Sequence, residues 1–307
     1  MEYVYYKSLT GNFGDDLNAW LWPLIFDDET LSGKYLIGIG SVICDSSLTK
    51  SLQDKQKIIF GSGVRPGYTN YILDDTWDVK FLRGPLSANY FKEKYEYIAD
   101  AAYALRLVKS FEALADTPKK YEVSVIPYFH SVKYFDWKSI CKQLGYNYIS
   151  PFGEQGIEHT LSEIAASKVV ITEAMHGAII ADALRVPWHR FVLSTPHNEG
   201  SLVSEFKWKD WLHSINLHFT EATYIQLYRK SFLNKMINKM TSHTVNIEFV
   251  VKKMVKEDLL KKLSAIKHFN LSTDSMIDQI DNRIDNKIAV LKQEIKIHTP
   301  QSQLVKL

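Results

Sequence analysis

The sequence predicts an α/β fold with two doubly wound domains that face each other across a cleft, followed by a helical C-terminal tail. Short apolar runs alternate with helical patterns in the first third, and the same alternation resumes after the linker 115–120. Beyond Trp211 the pattern is almost wholly helical. We therefore predict an N-terminal domain over residues 1–118, a second domain over 119–218 and a helical extension over 219–307.

The N-terminal domain is predicted to alternate strands with helices. Its strands are Tyr3–Tyr6, Tyr35–Ile39, Lys57–Phe60 and Val79–Leu82, and its helices include Asp16–Ile25 and Pro85–Tyr95. Asp15 and Asp16 suit a helix start because carboxylates are favoured near the positive end of the helix dipole. Pro85 suits a first helical position because its fixed φ is already helical.

The second domain repeats this alternation. Its predicted strands are Val123–Pro127, Tyr146–Ile149, Val169–Thr172 and Trp188–Leu193, and its predicted helices are Trp137–Leu144, Gly156–Ala166 and His176–Leu184. In open α/β sheets, ligands bind beyond the carboxyl ends of strands. Side chains that follow these strands are therefore candidates for a site.

The tail, Phe219–Ile297, is predicted to be helical, with a narrow apolar seam on its last helix. The seam residues recur at steps of three and four: Ile277, Ile280, Ile284, Ile288, Leu291 and Ile295. Such a seam indicates packing against the body of the protein or self-association with a second copy. The basic helix Arg229–Met240 has one apolar side, so peripheral contact with a membrane surface is the alternative for that segment.

Composition excludes several classes of function. The net charge of +2 does not indicate a nucleic-acid partner, and the two cysteines lack metal or disulfide spacing, which fits a reducing cytoplasm. We expect no metal, since the histidines and carboxylates form no ligand motif. No signal peptide and no apolar run of about 18 residues is evident. The dinucleotide-binding glycine motif and the Walker loop are also absent.

Two motifs carry candidate acids and bases. His176 follows the strand Val169–Thr172, where an imidazole can act as acid or base, and Gly177 comes after it. Glu173 can orient His176 or titrate separately. In the loop 11–16, Asn12 and Gly14 can expose backbone amides to an anion, and Asp15 or Asp16 can accept a hydroxyl proton. The alternative for this loop is that the glycines make the turn and the aspartates cap the helix.

Two further motifs carry candidate anion-binding groups. Gly61, Ser62 and Gly63 allow backbone to approach a ligand at a strand end, with Arg65 as an anion-binding group, or they form only a turn. Arg83 stands at a strand-to-helix corner, and Ser87 adds a hydroxyl in the first turn. His130 and His197 follow other strands of the second domain and are candidates for the border of the cleft.

Taken in order, these motifs resemble those of the bacterial polysaccharide pyruvyl transferases. The resemblance rests on Asn12–Asn18, Gly61–Gly63, Arg83–Ser87, Glu173–Ala178, Ala181–Trp188 and Lys207–Trp211, over roughly residues 5 to 211. It implies a GT-B-like pair of Rossmann-like domains. The helical tail lies outside it.

The resemblance implies transfer of the enolpyruvyl unit of phosphoenolpyruvate to two hydroxyls of a sugar, with a cyclic pyruvate ketal and phosphate as products. Phosphoenolpyruvate would be a co-substrate, with no other cofactor. The acceptor would be a saccharide of an exopolysaccharide or capsule repeat unit, carried on a lipid at the cytoplasmic face of the membrane.

The resemblance also implies roles. His176 would be the acid, Asp15 or Asp16 the base, and Arg83 or Arg65 the group that holds the donor's phosphate or carboxylate. Many family members carry an arginine two residues before the motif histidine, where this chain has Ala174. Arg65, His197 and Lys207 are candidates to supply that cation.

Two other functions stay open at this point. A GT-B glycosyltransferase would use the same cleft with a nucleotide-sugar. A non-catalytic scaffold of polysaccharide assembly would use the helical tail as its working part.

Overall fold

The computed structural model describes residues 2–26, 33–44, 50–67, 71–218, 220–227 and 247–298. Within these ranges the chain forms parallel strands, which we number in order. They are β1 Glu2–Tyr3, β2 Lys34–Ile37, β3 Gln56–Phe60, β4 Trp77–Phe81, β5 Tyr121–Ile126, β6 Asn147–Tyr148, β7 Ser167–Thr172, β8 Trp188–Val192 and β9 Ala222–Tyr224.

The strands form two parallel sheets, as the alternation predicts. The first has the order β1-β2-β3-β4, and the second has the order β6-β5-β7-β8-β9. In the second sheet β6 lies on one side of β5, and the next strand along the chain, β7, lies on the other side of β5. The strand order therefore reverses direction between β5 and β7, as in doubly wound sheets. The described strands of the first sheet follow one another without a reversal, so its doubly wound prediction is wrong for them.

Helices connect the strands and cover the sheets. They are α1 Phe13–Ile25, α2 Pro85–Tyr90, α3 Phe111–Ala115, α4 Trp137–Leu144, α5 Ile157–Ala165, α6 Met175–Ala183, α7 Ser201–Ser214, α8 Ile247–Ala265 and α9 Asp274–His298. Helix α2 is shorter than predicted, because Lys92 and Glu93 adopt left-handed φ angles of 54° and 59°, which a helix cannot continue through.

One hydrophobic cluster joins elements of both sheets. It contains Trp22 of α1, Phe60 of β3, Val170 of β7 and Trp211 of α7, each at most 2% exposed. The cluster also encloses a buried hydrogen bond, in which the Tyr103 hydroxyl donates to Asp182 Oδ2 at 2.7 Å. The domain boundaries at 118 and 218 and the GT-B-like arrangement stay predictions.

The apolar seam of α9 packs on the body of the protein, as one of the two sequence interpretations predicted. All six of its residues are buried in the same cluster, at 0–6% exposure. Ion pairs flank the seam, with Arg106 2.8 Å from Asp281 and Lys80 bonded to Glu294 at 2.5 Å. Self-association through the tail stays a prediction.

The described part of the tail is mostly helical, in agreement with the almost wholly helical pattern predicted over residues 219–297, and it has short extended exceptions. Ala222–Tyr224 forms β9 and pairs with β8 in parallel, and Asn270 forms an antiparallel bridge with Trp188. Backbone pairing with a buried strand outweighs the weak helical preference of these short segments. The basic helix predicted at Arg229–Met240 lies outside the described residues.

None of the helices in the described part of the chain combines the length and the apolar character that crossing a bilayer requires.

Candidate functional site

A pocket of about 260 Å³ lies where the carboxyl ends of strands from both sheets meet. Two of its wall segments follow β5 and β7, on either side of the reversal in the second sheet, which is where ligands bind in such sheets. Its lining includes the side chains of Asn12, Asp15, Ser41, Arg65, Arg83, Tyr128, His130, Glu173, His176, Thr195, Glu199, Lys207 and Trp208.

His176 lies in the first turn of α6, one residue after the helix begins, and packs against α1 of the other half. Gly14 of α1 permits this approach, because a Cβ at that position would overlap the imidazole. The Nε2 atom is buried and has no hydrogen-bond partner among the described residues. Burial, reinforced by the positive charges of Lys207 and Arg83, lowers the pKa of His176 to about 3. The imidazole is therefore neutral at physiological pH before a ligand binds.

Asp15 faces the same pocket from the start of α1. Asn12 Nδ2 donates to its Oδ2 at 2.5 Å. Burial raises the pKa of Asp15 to about 7, against the charge of Lys207, which lowers it. Asp16 does not line the pocket, and its Oδ2 accepts from the Asn12 backbone N–H at 2.9 Å. Of the two aspartates, Asp15 is placed to exchange a proton with a ligand, and Asp16 stabilises the N-terminus of α1.

Arg83 is fully buried and is held by α7. Its Nε lies 3.0 Å from Asp210 Oδ2, and its Nη1 donates to Ser41 Oγ at 2.5 Å. Ser87 fixes the carboxylate in turn, with its backbone N–H donating to Oδ1 at 2.9 Å and its hydroxyl to Oδ2 at 2.6 Å. Arg83 Nη2 is buried against Gly63 and has no hydrogen-bond partner among the described residues.

Lys207, also on α7, is a second cation of the pocket. Its Nζ lies 3.3 Å from both carboxylate oxygens of Glu199. Tyr128 lies near the same carboxylate, and burial together with the negative charge of Glu199 raises the pKa of this phenol. Arg65 lines the pocket as an exposed side chain, and His130 does so with its ring 4.0 Å from that of Phe129.

Glu173 makes no hydrogen bond to His176, which it was expected to orient. Its carboxylate instead accepts six hydrogen bonds from the segments that follow β5 and β8. Those to Oε1 come from the backbone N–H groups of Leu193, Ser194 and Thr195 and from the Thr195 hydroxyl, at 2.7–2.9 Å. Both oxygens are occupied, so Glu173 holds two walls of the pocket together.

Several predicted binding residues lie beside the pocket rather than in its lining. They are Gly14, Gly61, Ser62, Gly63, Ser87, Gly177 and His197. The glycines allow close packing, since a Cβ at Gly63 would overlap the Arg83 guanidinium and one at Gly177 would overlap Thr172. Ser62 donates to the Gly40 carbonyl at 3.1 Å, and His197 is exposed in the turn Pro196–Gly200.

Sequence reasoning missed several residues of the site, among them Ser41, Tyr128, Glu199 and Asp210. Two of them carried a signal. Tyr128 follows a predicted strand, and Asp210 lies within the motif Lys207–Trp211. Ser41 and Glu199 stand in loops without a pattern that marks them.

No group of three or more His, Cys, Asp or Glu side chains within the described ranges is arranged to hold a metal ion.

Comparison with known proteins adds to this geometry. A model of the family described as polysaccharide pyruvyl transferase matches residues 13–194. The succinoglycan biosynthesis protein ExoV of Rhizobium meliloti (strain 1021) is 35% identical over 223 residues, which cover 71% of this chain and 66% of that protein. The chain thus spans slightly less than two thirds of the length of this relative.

Among solved structures, an uncharacterized protein of Klebsiella pneumoniae subsp. pneumoniae NTUH-K2044 is similar with 21% identity and a TM-score of 0.43. The similarity covers 74% of this chain and 93% of that one. A likeness at this level supports no statement about the site.

Proposed function

Because the chain belongs to the polysaccharide pyruvyl transferase family, we propose that it transfers the enolpyruvyl unit of phosphoenolpyruvate to two hydroxyls of a sugar. The products are a cyclic pyruvate ketal on a polysaccharide repeat unit and inorganic phosphate. The observation that carries the proposal is the pocket, which the cations Lys207 and Arg83 line together with the titratable pair Asp15 and His176.

The donor suits this arrangement because it is small and strongly anionic. Phosphoenolpyruvate carries a carboxylate and a phosphate, which cationic and N–H groups bind through charge-assisted hydrogen bonds. Arg65 stands exposed at the pocket and adds a third cationic group. Positive groups aimed at the phosphate also stabilise the charge that develops as it leaves.

Asp15 and His176 supply the proton transfers. Asp15 removes the proton of the first sugar hydroxyl as its oxygen bonds to C2, and C3 takes a proton from His176. The imidazole is neutral in the empty pocket, so the negative donor must raise its pKa and charge it first. The bond from C2 to the phosphate oxygen then breaks while the second hydroxyl oxygen bonds to C2. Overall, one hydroxyl proton ends on C3 and the other on phosphate, and no water is consumed.

We further propose that the acceptor is a lipid-linked saccharide of an exopolysaccharide or capsule and that the reaction takes place at the cytoplasmic face of the membrane. The relative from Rhizobium meliloti, named for succinoglycan biosynthesis, supports an exopolysaccharide acceptor. No nucleic acid takes part, and phosphoenolpyruvate is the co-substrate in place of a bound cofactor.

The proposal is tested by incubating the protein with phosphoenolpyruvate and pyranoside acceptors, and following phosphate release together with the acceptor's mass. We expect an acceptor that gains a ketal-linked pyruvate, with one phosphate released for each. A parallel incubation with UDP-sugars separates a glycosyltransferase, which would transfer a hexose instead. Transfer from the UDP-sugar alone, or phosphate release without a change in acceptor mass, would contradict the proposal.

A further inference from the structure

The side chain of Lys207 is held in the pocket by a contact that a ligand can replace. Its Nζ is 3.3 Å from both carboxylate oxygens of Glu199, a long distance for an ion pair. The side chains of Lys207 and Glu199 are 23% and 20% exposed. The Tyr128 phenol lies near Glu199 as well. A hydroxyl donor is therefore at hand for the carboxylate if Lys207 leaves it.

The charges around the pocket favour replacement of the Lys207–Glu199 contact by a contact between Lys207 and an anionic ligand. The positive charge of Arg83 is balanced by Asp210, which is fully buried with it. Lys207 is balanced by Glu199, which lines the pocket itself and would repel an anionic donor. Lys207 is thus the cation inside the pocket that an anion can reach most easily. In the empty pocket, however, it is paired with Glu199, whose negative charge repels the anion.

Lys207 is also close enough to act on both proton-transfer groups. Of the charged groups around Asp15 and His176, Lys207 affects the pKa of both most strongly, and its positive charge lowers the pKa of each. The flexible stem of a lysine lets the ammonium move over a few ångströms without a change in the backbone. Helix α7 thus places Lys207 between the anion site and the groups that move protons.

We propose that Lys207 contacts the donor directly, and that its ammonium exchanges the Glu199 carboxylate for an anionic group of the donor when the donor binds. This inference rests on the proposed function and assigns a residue within that site. Glu199 acts as a placeholder that keeps the ammonium in position in the empty pocket. In this exchange the nearby Tyr128 hydroxyl donates to the released Glu199 carboxylate.

The first test replaces Lys207 by Met and measures the affinity for phosphoenolpyruvate by tryptophan fluorescence, since Trp208 lines the pocket. We expect K207M to bind phosphoenolpyruvate at least about tenfold more weakly, the loss of about 1.4 kcal/mol that one charged contact supplies. The matched control is K209M, because Lys209 is an exposed lysine of the same helix outside the pocket lining. K209M is expected to bind as the unchanged protein does.

The second test removes the placeholder with E199Q, a variant that keeps the size of the side chain. If Lys207 exchanges partners, E199Q binds phosphoenolpyruvate more tightly by about threefold or more, since no ion pair has to open and a repelling charge is gone. If the pair serves only to hold the loop, E199Q binds the donor equally or more weakly. That result would overturn the inference, and it does so even where K207M fails to fold.

Failure of this inference is distinct from failure of the proposed function. Equal affinities of K207M and the unchanged protein, with ketal formation intact, would overturn only the role of Lys207. Absence of both donor binding and ketal formation in the unchanged protein would overturn the proposed function and this inference with it.

Discussion

Gly14 sets how closely helix α1 can approach His176. A Cβ there would overlap the imidazole, although alanine suits a helix better than glycine. We therefore expect G14A to lower the free energy of unfolding by about 1–3 kcal/mol, the usual cost of overpacking. We also expect it to displace the imidazole and reduce kcat by roughly tenfold to a hundredfold, the cost typical of a 1 Å misplacement. Steady-state kinetics of ketal formation, together with the thermal midpoint, measures both effects.

A double-mutant cycle with H176A provides the control for G14A. If Gly14 acts through the imidazole, adding G14A to H176A lowers the rate no further. A second, independent loss in the double variant would show that the alanine disturbs something other than His176.

At this scale the sequence predicted the pocket residues that lie in motifs at strand ends. Asn12, Asp15, Arg65, Arg83 and His176 all line the pocket. Ser87 was expected to meet a ligand, yet it binds Asp210, which is 123 residues further along the chain. Position in a motif predicts that a residue is near the site, but whether it faces the ligand or a buried partner depends on which distant element packs against it.

Helix α7 shows what one element contributes to the site. It carries Lys207 and Asp210, three residues apart and so on one face, where the first faces the pocket and the second holds Arg83. The strands and helices that alternate along the chain were largely predictable because periodicity is local. The packing of α7 against α2 of the first half is a long-range contact, and periodicity does not encode it.

Helix α9 offers a test of the apolar seam. Ile284 is fully buried in the main cluster, whereas Val290 on the same helix is 46% exposed. We expect I284A to lower the free energy of unfolding by about 2–5 kcal/mol, because it leaves a cavity in a packed core. The matched control V290A should change it by less than about 0.5 kcal/mol.

Urea denaturation of both variants measures these effects. Equal changes in I284A and V290A would contradict the seam as an element of the core and would favour its use in another contact, such as self-association.

For the molecule as a whole, the pocket is formed at a cost in folding stability. The main cluster binds both sheets into one core and thereby brings Asp15 and His176 to the same pocket. Burial shifts the pKa of each group against its charged form, to about 7 for Asp15 and about 3 for His176. Functional pockets commonly hold groups in such unfavourable states, at the expense of stability.

Asp15 makes this cost measurable as a pH dependence. Its folded-state pKa, about 7, lies above the unfolded value of 3.8, so the folded protein binds the proton more tightly and loses stability as the pH rises from about 4 to above 7. D15N cannot ionise and escapes that loss. We expect the free energy of unfolding of D15N, relative to the unchanged protein, to rise between pH 4 and pH 8 by on the order of 1 kcal/mol or more. Urea denaturation across this range measures the difference, in which the titration of groups that do not interact with Asp15 cancels. A difference that stays constant with pH would mean that Asp15 has the same pKa in the folded and unfolded chains. Its pKa would then not lie near 7 in the folded protein, and Asp15 would not be the group that exchanges protons near neutral pH.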